Sequence, residues 1–274
     1  MRIVHSFVSE KCKDVIFQTQ MWYFALSCLY AKENGFEIVL HCDNKTKSVL
    51  EYCPYDEIIT DLEDKHSPAN DKIWAWGKFE AMKNEPLGTI HIDGDVFLKD
   101  KGLIDLLNFD GYDCIVQNLE TPNWTGTTQE DYARIKENWN RNIACFKGCV
   151  FPEFAKKECN AMYNCGIIGF NNQELKNTYY NIYWNMVRQY AKTGINIDSV
   201  PDLIIEQQFL KDIADYYHYN VKTLLSGNLN EVSKKIGYQH ILGSSKFKNL
   251  ETVKKLVKKH NINIYNKLIN IWEN

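Results

Sequence analysis

The stretch Gly88–Leu98 has the sequence GTIHIDGDVFL and indicates a buried β-strand that carries two carboxylates. The residues before Asp93 are mostly apolar or β-branched, which is typical of a strand covered on both faces. Because successive side chains of a strand alternate between faces, His91, Asp93 and Asp95 are expected on the same side. Gly94 lets the backbone turn and a ligand come close. The stretch therefore predicts two converging carboxylates at the end of a core strand.

The remainder of the first 100 residues alternates between strand and helix patterns. Short β-branched runs alternate with segments whose apolar residues recur at helical spacing. Strands separated by helices of about a dozen residues form parallel sheets with helices on both faces. The predicted class is therefore α/β with a mostly parallel central sheet. Strands are predicted at residues 2–8, 36–41, 57–60 and 88–98, and helices at 18–32, 45–52 and 72–83.

Residues 117–160 interrupt this alternation, being polar, rich in Asn and Trp, and without a clear period. Such a stretch usually forms a binding wall or lid, and Asp113 and Glu120 are interpreted as solvated loop charges. Regular structure resumes with strands at 162–170 and 219–223 and helices at 173–192 and 201–214. We interpret residues 1–247 as one domain and residues 248–274 as a helical C-terminal extension, with two domains as the alternative.

Composition excludes several classes of protein. The 274 residues are 45% hydrophobic and 24% charged, as in ordinary globular proteins. No apolar run reaches the roughly 20 residues that cross a bilayer, and the N-terminus lacks a secretory core, so a cytoplasmic location is expected. Nine cysteines without an export signal indicate free thiols. A net charge of −3 argues against a nucleic-acid partner.

The charge is unevenly distributed along the chain. Residues 240–274 hold seven Lys and two Glu, a net charge of +5, which leaves −8 for residues 1–239. Residues 250–274 form a basic amphipathic pattern, with apolar residues on one helical face and lysines around it. Such helices pack on globular domains, which is the favoured interpretation, or lie on anionic membranes. The alternative predicts peripheral contact with the inner face of the membrane.

Two segments carry groups suited to a metal and a diphosphate. Asp93 and Asp95 offer the oxygen ligands that Mg²⁺ and Mn²⁺ prefer, at the sheet edge where α/β proteins bind ligands. Asp-x-Asp is also common in turns, so the pair alone does not decide. Nearly 150 residues later, His240-Ile-Leu-Gly243-Ser-Ser-Lys246 adds an imidazole, a glycine whose backbone N–H approaches phosphate, and an ammonium. Together the segments predict a metal–diphosphate site.

In these motifs the chain resembles the GT-A glycosyltransferases, and most closely the retaining, nucleotide-sugar-dependent family 8 type. Three further matches follow the family's order: Lys78 before the Asp-x-Asp strand, Asn164-Cys165-Gly166, and Glu206-Gln207. The resemblance spans residues 1–247. It departs from the family where Phe247-Lys248 replace the usual Pro-Trp, and where the end of the first strand lacks the residues that usually hold uridine.

The resemblance implies a GT-A fold and a hexosyltransferase that moves a sugar from a nucleoside diphosphate sugar, expected to be a UDP-sugar, to an acceptor hydroxyl with retention. It implies Mn²⁺ or Mg²⁺ bound by Asp93, Asp95 and His240. The implied donor-binding residues are Ser6, Phe7, Val8, Lys78, Asp93, Gly94, Asp95, Asn164, Gly166, Gly243 and Lys246. The implied catalytic residues are Glu206 at the sugar hydroxyls, Gln207 beneath C1, and Asn164, with Gln208 replacing Gln207 if the helix register shifts by one.

The implied acceptor is a saccharide or a lipid-linked acceptor, used in cell-surface polysaccharide or glycolipid synthesis, and residues 117–160 are expected to select it. Two other classes stay open. A non-catalytic nucleotide- or sugar-binding protein would use the same groups. A metal-dependent phosphohydrolase also uses paired Asp residues, but the common kind has a nucleophilic Asp on its first strand, and Arg2–Val8 contains none.

Overall fold

The computed structural model of the protein describes residues 1–9, 12–65, 73–100, 102, 104–121, 129–156, 158–193, 201–225, 237–241 and 245–273. The chain divides into two compact units. Unit 1 comprises Met1–Lys65, Glu80–Leu106 and Asn230–Asn274, and unit 2 comprises His66–Phe79 and Leu107–Leu229.

Strands and helices alternate along much of the chain. The strands are β1 Arg2–Phe7, β2 Glu37–Cys42, β3 Glu57–Ile59, β4 Ile90–Ile92, β5 Val96–Leu98, β6 Cys114–Glu120, β7 Met162–Phe170, β8 Val221–Leu225 and β9 Tyr238–His240. The helices are α1 Asp14–Glu33, α2 Asn44–Leu50, α3 Trp76–Lys83, α4 Gln129–Ile143, α5 Gln173–Thr193, α6 Phe209–Tyr217, α7 Ser245–His260 and α8 Ile262–Glu273. A π-helical turn, Leu203–Gln208, leads into α6.

Unit 1 is built on a parallel sheet with the strand order β3-β2-β1-β4. All three pairings are parallel, and Ile3 of β1 lies between Ile38 of β2 and Ile90 of β4. These three isoleucines are fully buried. Continuous burial along a strand is the mark of a parallel sheet covered on both faces, as the apolar sequence of these strands predicts.

The prediction of one strand over residues 88–98 is wrong. Strand β4 ends at Ile92, and a turn follows in which Val96 N–H donates to the Asp93 carbonyl at 2.9 Å. Strand β5 then pairs antiparallel with β9 in a separate two-stranded sheet. The Asp-Gly-Asp sequence occupies the turn because these residue types tolerate turn geometry better than strand geometry.

The C-terminal helices α7 and α8 pack on α1 through their apolar faces, which confirms the favoured interpretation of residues 250–274. Aromatic contacts join Trp272 to Phe17 and Tyr265 to Trp22. The buried apolar residues of the two helices are Val253, Val257, Ile264 and Leu268. None of the helices within the described ranges combines the length and apolar character needed to cross a bilayer.

Unit 2 contains the strand order β7-β6-β8, with β6 antiparallel to β7 and parallel to β8. The prediction that residues 117–160 lack regular structure is wrong in two places. Strand β6 extends to Glu120, and α4 covers 15 residues of the segment. Helix α4 is rich in polar residues, so few apolar side chains mark its helical periodicity. The helix is therefore hard to recognise in the sequence.

The predicted α/β class is confirmed, with a mostly parallel sheet, flanking helices and a helical C-terminal region. Strand β7 has the predicted bounds, and the helix predicted over residues 201–214 begins as the π-helical turn. The nine cysteines are free thiols.

A buried charge network stabilises unit 1. Glu85 is 7% exposed, accepts a hydrogen bond from Arg2 Nε at 2.7 Å, and lies 3.1 Å from His41 Nε2. His41 Nδ1 lies 3.0 Å from Asp61. Burial opposes protonation of His41, but Asp61 and Glu85 outweigh it and raise the pKa of His41 to about 9. Burial likewise opposes ionisation of Glu85, but His41 and Arg2 lower its pKa to about 2.

We expect Glu85→Gln to lower the free energy of unfolding by about 3 kcal/mol, because Arg2 and His41 lose their shared buried partner. In the wild type, the His41 contribution is complete below its ordinary pKa of 6.5 and is lost as the pH rises through about 9. The Glu85 contribution is complete above 4.5 and is lost as the pH falls through about 2.

Urea unfolding on both sides of these values measures both effects. The matched control is Glu37→Gln, which removes an exposed partner of Arg2 and should cost less than about 1 kcal/mol. Equal losses in the two variants would contradict the role of the network.

Candidate functional site

Residues distant in sequence meet at the turn after β4. The antiparallel pairing of β5 with β9 sets Val96 opposite His240, and Ile241 N–H donates to the Asp95 carbonyl at 3.2 Å. This pairing brings the Asp-Gly-Asp motif and the first residue of the His240–Lys246 motif together, as the metal–diphosphate prediction requires.

Asp93, Asp95 and His240 form a cluster of potential metal ligands. One ligand atom from each residue lies within 4.8 Å of the other two. Nε2 of His240 is 3.4 Å from Oδ1 of Asp95. The side chains of Asp95 and His240 are buried, whereas that of Asp93 is 34% exposed, so the cluster is open to solvent on one side.

The donor set of this cluster fits a divalent cation. Two carboxylates and one imidazole are ligands that Mn²⁺ accepts, and the carboxylates also suit Mg²⁺. Within the described part of the chain, His240 Nδ1 is buried and has no hydrogen-bond partner. The ring nitrogen that faces the Asp95 carboxylate is Nε2, so Nε2 is the His240 atom placed to bind a cation.

Lys246 lies at the same cluster. Its Nζ is 2.8 Å from Oδ2 of Asp95, and its carbonyl accepts the Tyr23 hydroxyl at 2.9 Å, which anchors the first turn of α7. Burial opposes ionisation of Asp95, but His240 and Lys246 outweigh it, so the pKa of Asp95 lies well below its ordinary value. The carboxylate is therefore ionised and ready to bind a cation at any physiological pH.

Packing against α1 requires a glycine at position 94, and the sequence alone does not show this. A Cβ at this position would overlap the ring of Phe24, which is itself buried. The glycine therefore lets the turn that carries Asp93 and Asp95 lie directly on α1. Any larger residue at position 94 would displace that turn.

The end of β1 contributes less polar contact than the resemblance implies. Ser6 Oγ lies 2.9 Å from His91 Nε2, and His91 Nδ1 lies 3.7 Å from Asp93, so Ser6 is connected to the cluster through a histidine. The ring of Phe7 packs against Phe24 and Phe17, and Val8 is half-buried. Gly243 lies outside the described residues.

In unit 2 the structure joins two of the predicted residues as a buried ion pair. Lys78 Nζ is 2.7 Å from Glu206 Oε1 and donates to the Cys165 carbonyl at 2.9 Å. The resemblance gives Lys78 to the diphosphate and Glu206 to the sugar. In the structure each of these side chains is a direct partner of the other, a contact that the sequence motifs do not predict.

Asn164 of β7 is held by neighbours on both sides. Its Nδ2 donates to Glu120 Oε1 at 2.7 Å, and its Oδ1 accepts Gly166 N–H at 2.9 Å. The interpretation of Glu120 as a solvated loop charge is wrong because β6 continues through it. Asp113 is also not a free loop charge, since it accepts hydrogen bonds from Asn172 Nδ2 and Asn220 N–H. The missed signal was the apolar run Cys114–Val116, which begins β6.

The π-helical turn gives the two glutamines different environments. Gln208 is buried, and its Nε2 lies 3.2 Å from the Lys156 carbonyl and 3.3 Å from Asp212 Oδ2. Gln207 is partly exposed, and within the described ranges its Oε1 has no hydrogen-bond partner. Within the same ranges Oε1 of Gln208 is also buried and without a hydrogen-bond partner, so the two glutamines differ in the exposure of the side chain and in the bonds of the Gln208 amide N–H group.

Residues 1–271 match the family described as "Family of unknown function (DUF6734)". The chain belongs to the DUF6734 family. No curated protein matches the sequence of this DUF6734 chain.

Three of the solved structures similar to the DUF6734 chain are glycosyltransferases. The galactosyltransferase LgtC in complex with donor and acceptor sugar analogs is 10% identical over 94% of this chain and 96% of that chain, with a TM-score of 0.49. The apo form of the glycosyltransferase GlyE from Streptococcus pneumoniae TIGR4 is 12% identical over 98% of this chain and 63% of that chain, with a TM-score of 0.47. The apo form of mouse xyloside xylosyltransferase 1 is 15% identical over 84% and 78%, with a TM-score of 0.33.

We expect the double variant Asp93→Asn, Asp95→Asn to weaken Mn²⁺ binding by more than about 100-fold, because changes to residues behind metal ligands already cost 10- to 100-fold. Titration calorimetry with Mn²⁺ alone measures this, and circular dichroism checks the fold. The matched control is Asp64→Asn, a change at an exposed carboxylate outside the cluster, which should bind Mn²⁺ as the wild type does. Equal affinity in both variants would refute the metal site.

Proposed function

We propose that the protein is a metal-dependent glycosyltransferase that moves a sugar from a nucleoside diphosphate sugar to an acceptor hydroxyl with retention of configuration. The observation that carries this proposal is the cluster of Asp93, Asp95, His240 and Lys246. It joins two carboxylates, an imidazole and an ammonium from motifs nearly 150 residues apart. These motifs are two of the five elements on which the resemblance to family 8 enzymes rests.

Asp93, Asp95 and His240 would hold Mn²⁺ or Mg²⁺. A divalent cation bound there supplies positive charge that stabilises the leaving diphosphate. Lys246 reaches the same position with its ammonium and adds to that charge, because its Nζ lies against the Asp95 carboxylate. Because Asp95 is buried and ionised, its carboxylate would hold the cation and the Lys246 ammonium next to each other.

Glu206, Gln207 and Asn164 are proposed to act on the sugar. In a retaining transfer, the bond from C1 to the diphosphate oxygen breaks and the acceptor oxygen bonds to C1 on the same face. Positive charge develops at C1 meanwhile, and a carbonyl oxygen beneath the ring stabilises it. We assign this task to Gln207, whose Oε1 has no hydrogen-bond partner among the residues that the structure describes. We assign the binding of sugar hydroxyl groups to Glu206, which pairs with Lys78, and to Asn164, which donates to Glu120.

The donor that we propose is a UDP-sugar, by resemblance to family 8 enzymes. The acceptor is proposed to be a saccharide or lipid-linked saccharide of cell-surface polysaccharide or glycolipid synthesis, selected by residues 117–160. We propose residues 1–247 as the catalytic domain and residues 248–274 as its extension, in a cytoplasmic protein.

A panel of UDP-sugars, with and without Mn²⁺, tests this function through release of UDP. A transferase releases UDP only with Mn²⁺ and faster with an acceptor. A binding protein without activity would bind UDP-sugar and release nothing. A phosphohydrolase would cleave the diphosphate with water and release UMP and sugar 1-phosphate, and neither result is compatible with the proposal.

We expect Glu206→Gln and Gln207→Ala to lower kcat by about 100-fold or more, since each removes a group that acts on the reacting sugar. Binding of UDP with Mn²⁺, measured by calorimetry, should stay within a few-fold of wild type because the cation and Lys246 are unchanged. Gln208→Ala is the matched control, since its amide is used within the fold, and it should lower stability more than kcat. Loss of activity in Gln208→Ala alone would reverse the assignment of the two glutamines.

The outer side of α7 is proposed to contact anionic lipid on the inner face of the membrane. Lys248, Lys255 and Lys259 are exposed there. Each lysine near an anionic surface contributes about 1 kcal/mol, so reversing all three to Glu should weaken binding to phosphatidylserine vesicles by at least about 100-fold. Sedimentation at low salt measures this. The control is the pair Lys47→Glu and Lys83→Glu, exposed lysines outside α7 and α8. Wild-type protein that stays in the supernatant would eliminate the membrane contact.

A further inference from the structure

Asp202 is a buried acid that the proposed reaction does not use. It is 0% exposed and stands immediately before the π-helical turn that carries Glu206. Its Oδ2 accepts N–H from Trp74 at 2.5 Å and from Ala75 at 3.1 Å. The Tyr183 hydroxyl of α5 lies 3.4 Å from its Oδ1. A carboxyl group this far from water persists only where its position has a structural or functional use.

The two N–H groups from which Asp202 accepts hydrogen bonds belong to Trp74 and Ala75, the residues directly before α3. The first N–H groups of a helix have no partner within the helix and need a cap from outside. The carbonyl of Ala75 accepts Phe79 N–H at 3.2 Å, so the bonding of the helix begins at the residue that Asp202 holds. Asp202 therefore supplies, from 127 residues away in sequence, the cap that fixes the first turn of α3.

That first turn carries Lys78, and Lys78 pairs with Glu206 at 2.7 Å. Asp202 and Glu206 stand four positions apart on one helical segment. The start of α3 is thus attached to this segment at two points, once through backbone N–H groups and once through the lysine ammonium. The contact between Asp202 and the backbone N–H groups therefore determines where the Lys78 ammonium meets the Glu206 carboxylate.

The charges of this cluster make the attachment sensitive to pH. Glu206 pairs with the Lys78 ammonium, and the groups that face Asp202 are these two charges and the Tyr183 hydroxyl. Burial and then the charge of Glu206 raise the pKa of Asp202 to about 8, against the opposing effect of the Trp74 and Ala75 N–H groups and Lys78. Burial raises the pKa of Tyr183 well above its ordinary value, so that hydroxyl stays neutral. Near neutral pH Asp202 is therefore protonated.

We propose that Asp202 is a positioning residue for the transfer reaction: by capping α3 it holds Lys78 against Glu206, and loss of its proton disturbs that pair. The inference rests on the proposed function, because it takes Glu206 as a sugar-binding group. Ionised Asp202 adds a second negative charge beside the Lys78–Glu206 pair. Turnover should therefore fall as the pH rises through the ionisation of Asp202.

Hydrogen exchange tests the contact without reference to activity. In Asp202→Ala, the amides of residues 73–83 should exchange about tenfold faster than in wild type at the same pH, the effect of losing a helix cap. Asp202→Asn keeps one acceptor oxygen and no titratable proton, so its exchange should stay close to wild type. The matched control is Asp113→Ala, which removes an acid that also accepts a backbone N–H in unit 2. It should lower the melting temperature and leave exchange at 73–83 unchanged.

Kinetics test the positioning role. Asp202→Ala should lower kcat by about 10- to 100-fold, the effect of a small displacement in a reacting site, with little change in the KM for donor. Wild type should lose kcat above about pH 8, and Asp202→Asn should not show this alkaline decline. Asp113→Ala should keep it. A residue with a merely structural role would not move the pH profile.

Wild-type exchange and wild-type kcat in Asp202→Ala would overturn the proposal. An alkaline decline that persists in Asp202→Asn would overturn the pH dependence. If Asp202→Ala does not fold, Asp202→Asn replaces it in the kinetic test. Hydrogen exchange at residues 73–83 of wild type is then measured across the alkaline pH range, and the protection of these amides must change as Asp202 ionises. A wild type that turns over no nucleotide-sugar, yet shows the expected exchange differences, would refute the transfer reaction and leave the contact role of Asp202 intact.

Discussion

A carboxyl group removed from water needs a cation or several N–H donors beside it, and this requirement shapes both units of the protein. The cost of an unpaired buried charge exceeds the contribution of almost any single apolar contact, so the partners cannot be exchanged freely. The same contacts that make burial tolerable also set the reactive groups in place. Four buried acids illustrate this: Glu85 with Arg2 and His41, Asp95 with His240 and Lys246, Glu206 with Lys78, and Asp202 with the N–H groups of Trp74 and Ala75.

The sequence predicts the parallel strands of unit 1 and strand β7 because their apolar runs are continuous and short, as buried strands require. It also predicts that Asp93, Asp95 and His240 belong together, since each motif supplies what the other lacks for a metal–diphosphate site. The predicted alternation of side chains along one strand does not fully explain why these residues meet. Alternation along a strand does not place the two acids; a turn does, and the pairing of β5 with β9 adds the histidine.

Other contacts could not be predicted because a linear pattern does not contain them. The pairing of Lys78 with Glu206 depends on how α3 and the π-helical turn pack, and neither the turn nor its geometry has a sequence signature. Strand β6 was missed because its apolar run is followed by Gln117 and Asn118, two buried amides that resemble a loop. A single polar stretch of sequence can thus hide a core strand when its side chains bond to each other.

The pairing of β5 with β9 has a consequence for synthesis on the ribosome. A growing chain has its parallel strands β1, β2 and β4 long before residue 240 emerges, and N-terminal parts fold first. During that interval the nascent chain exposes Asp95 and Phe97 without their final covering strand. The pairing of β5 with β9, which closes this long loop, is therefore among the last folding steps. A polypeptide that ends before β9 would keep its parallel strands but would leave Asp95 without His240.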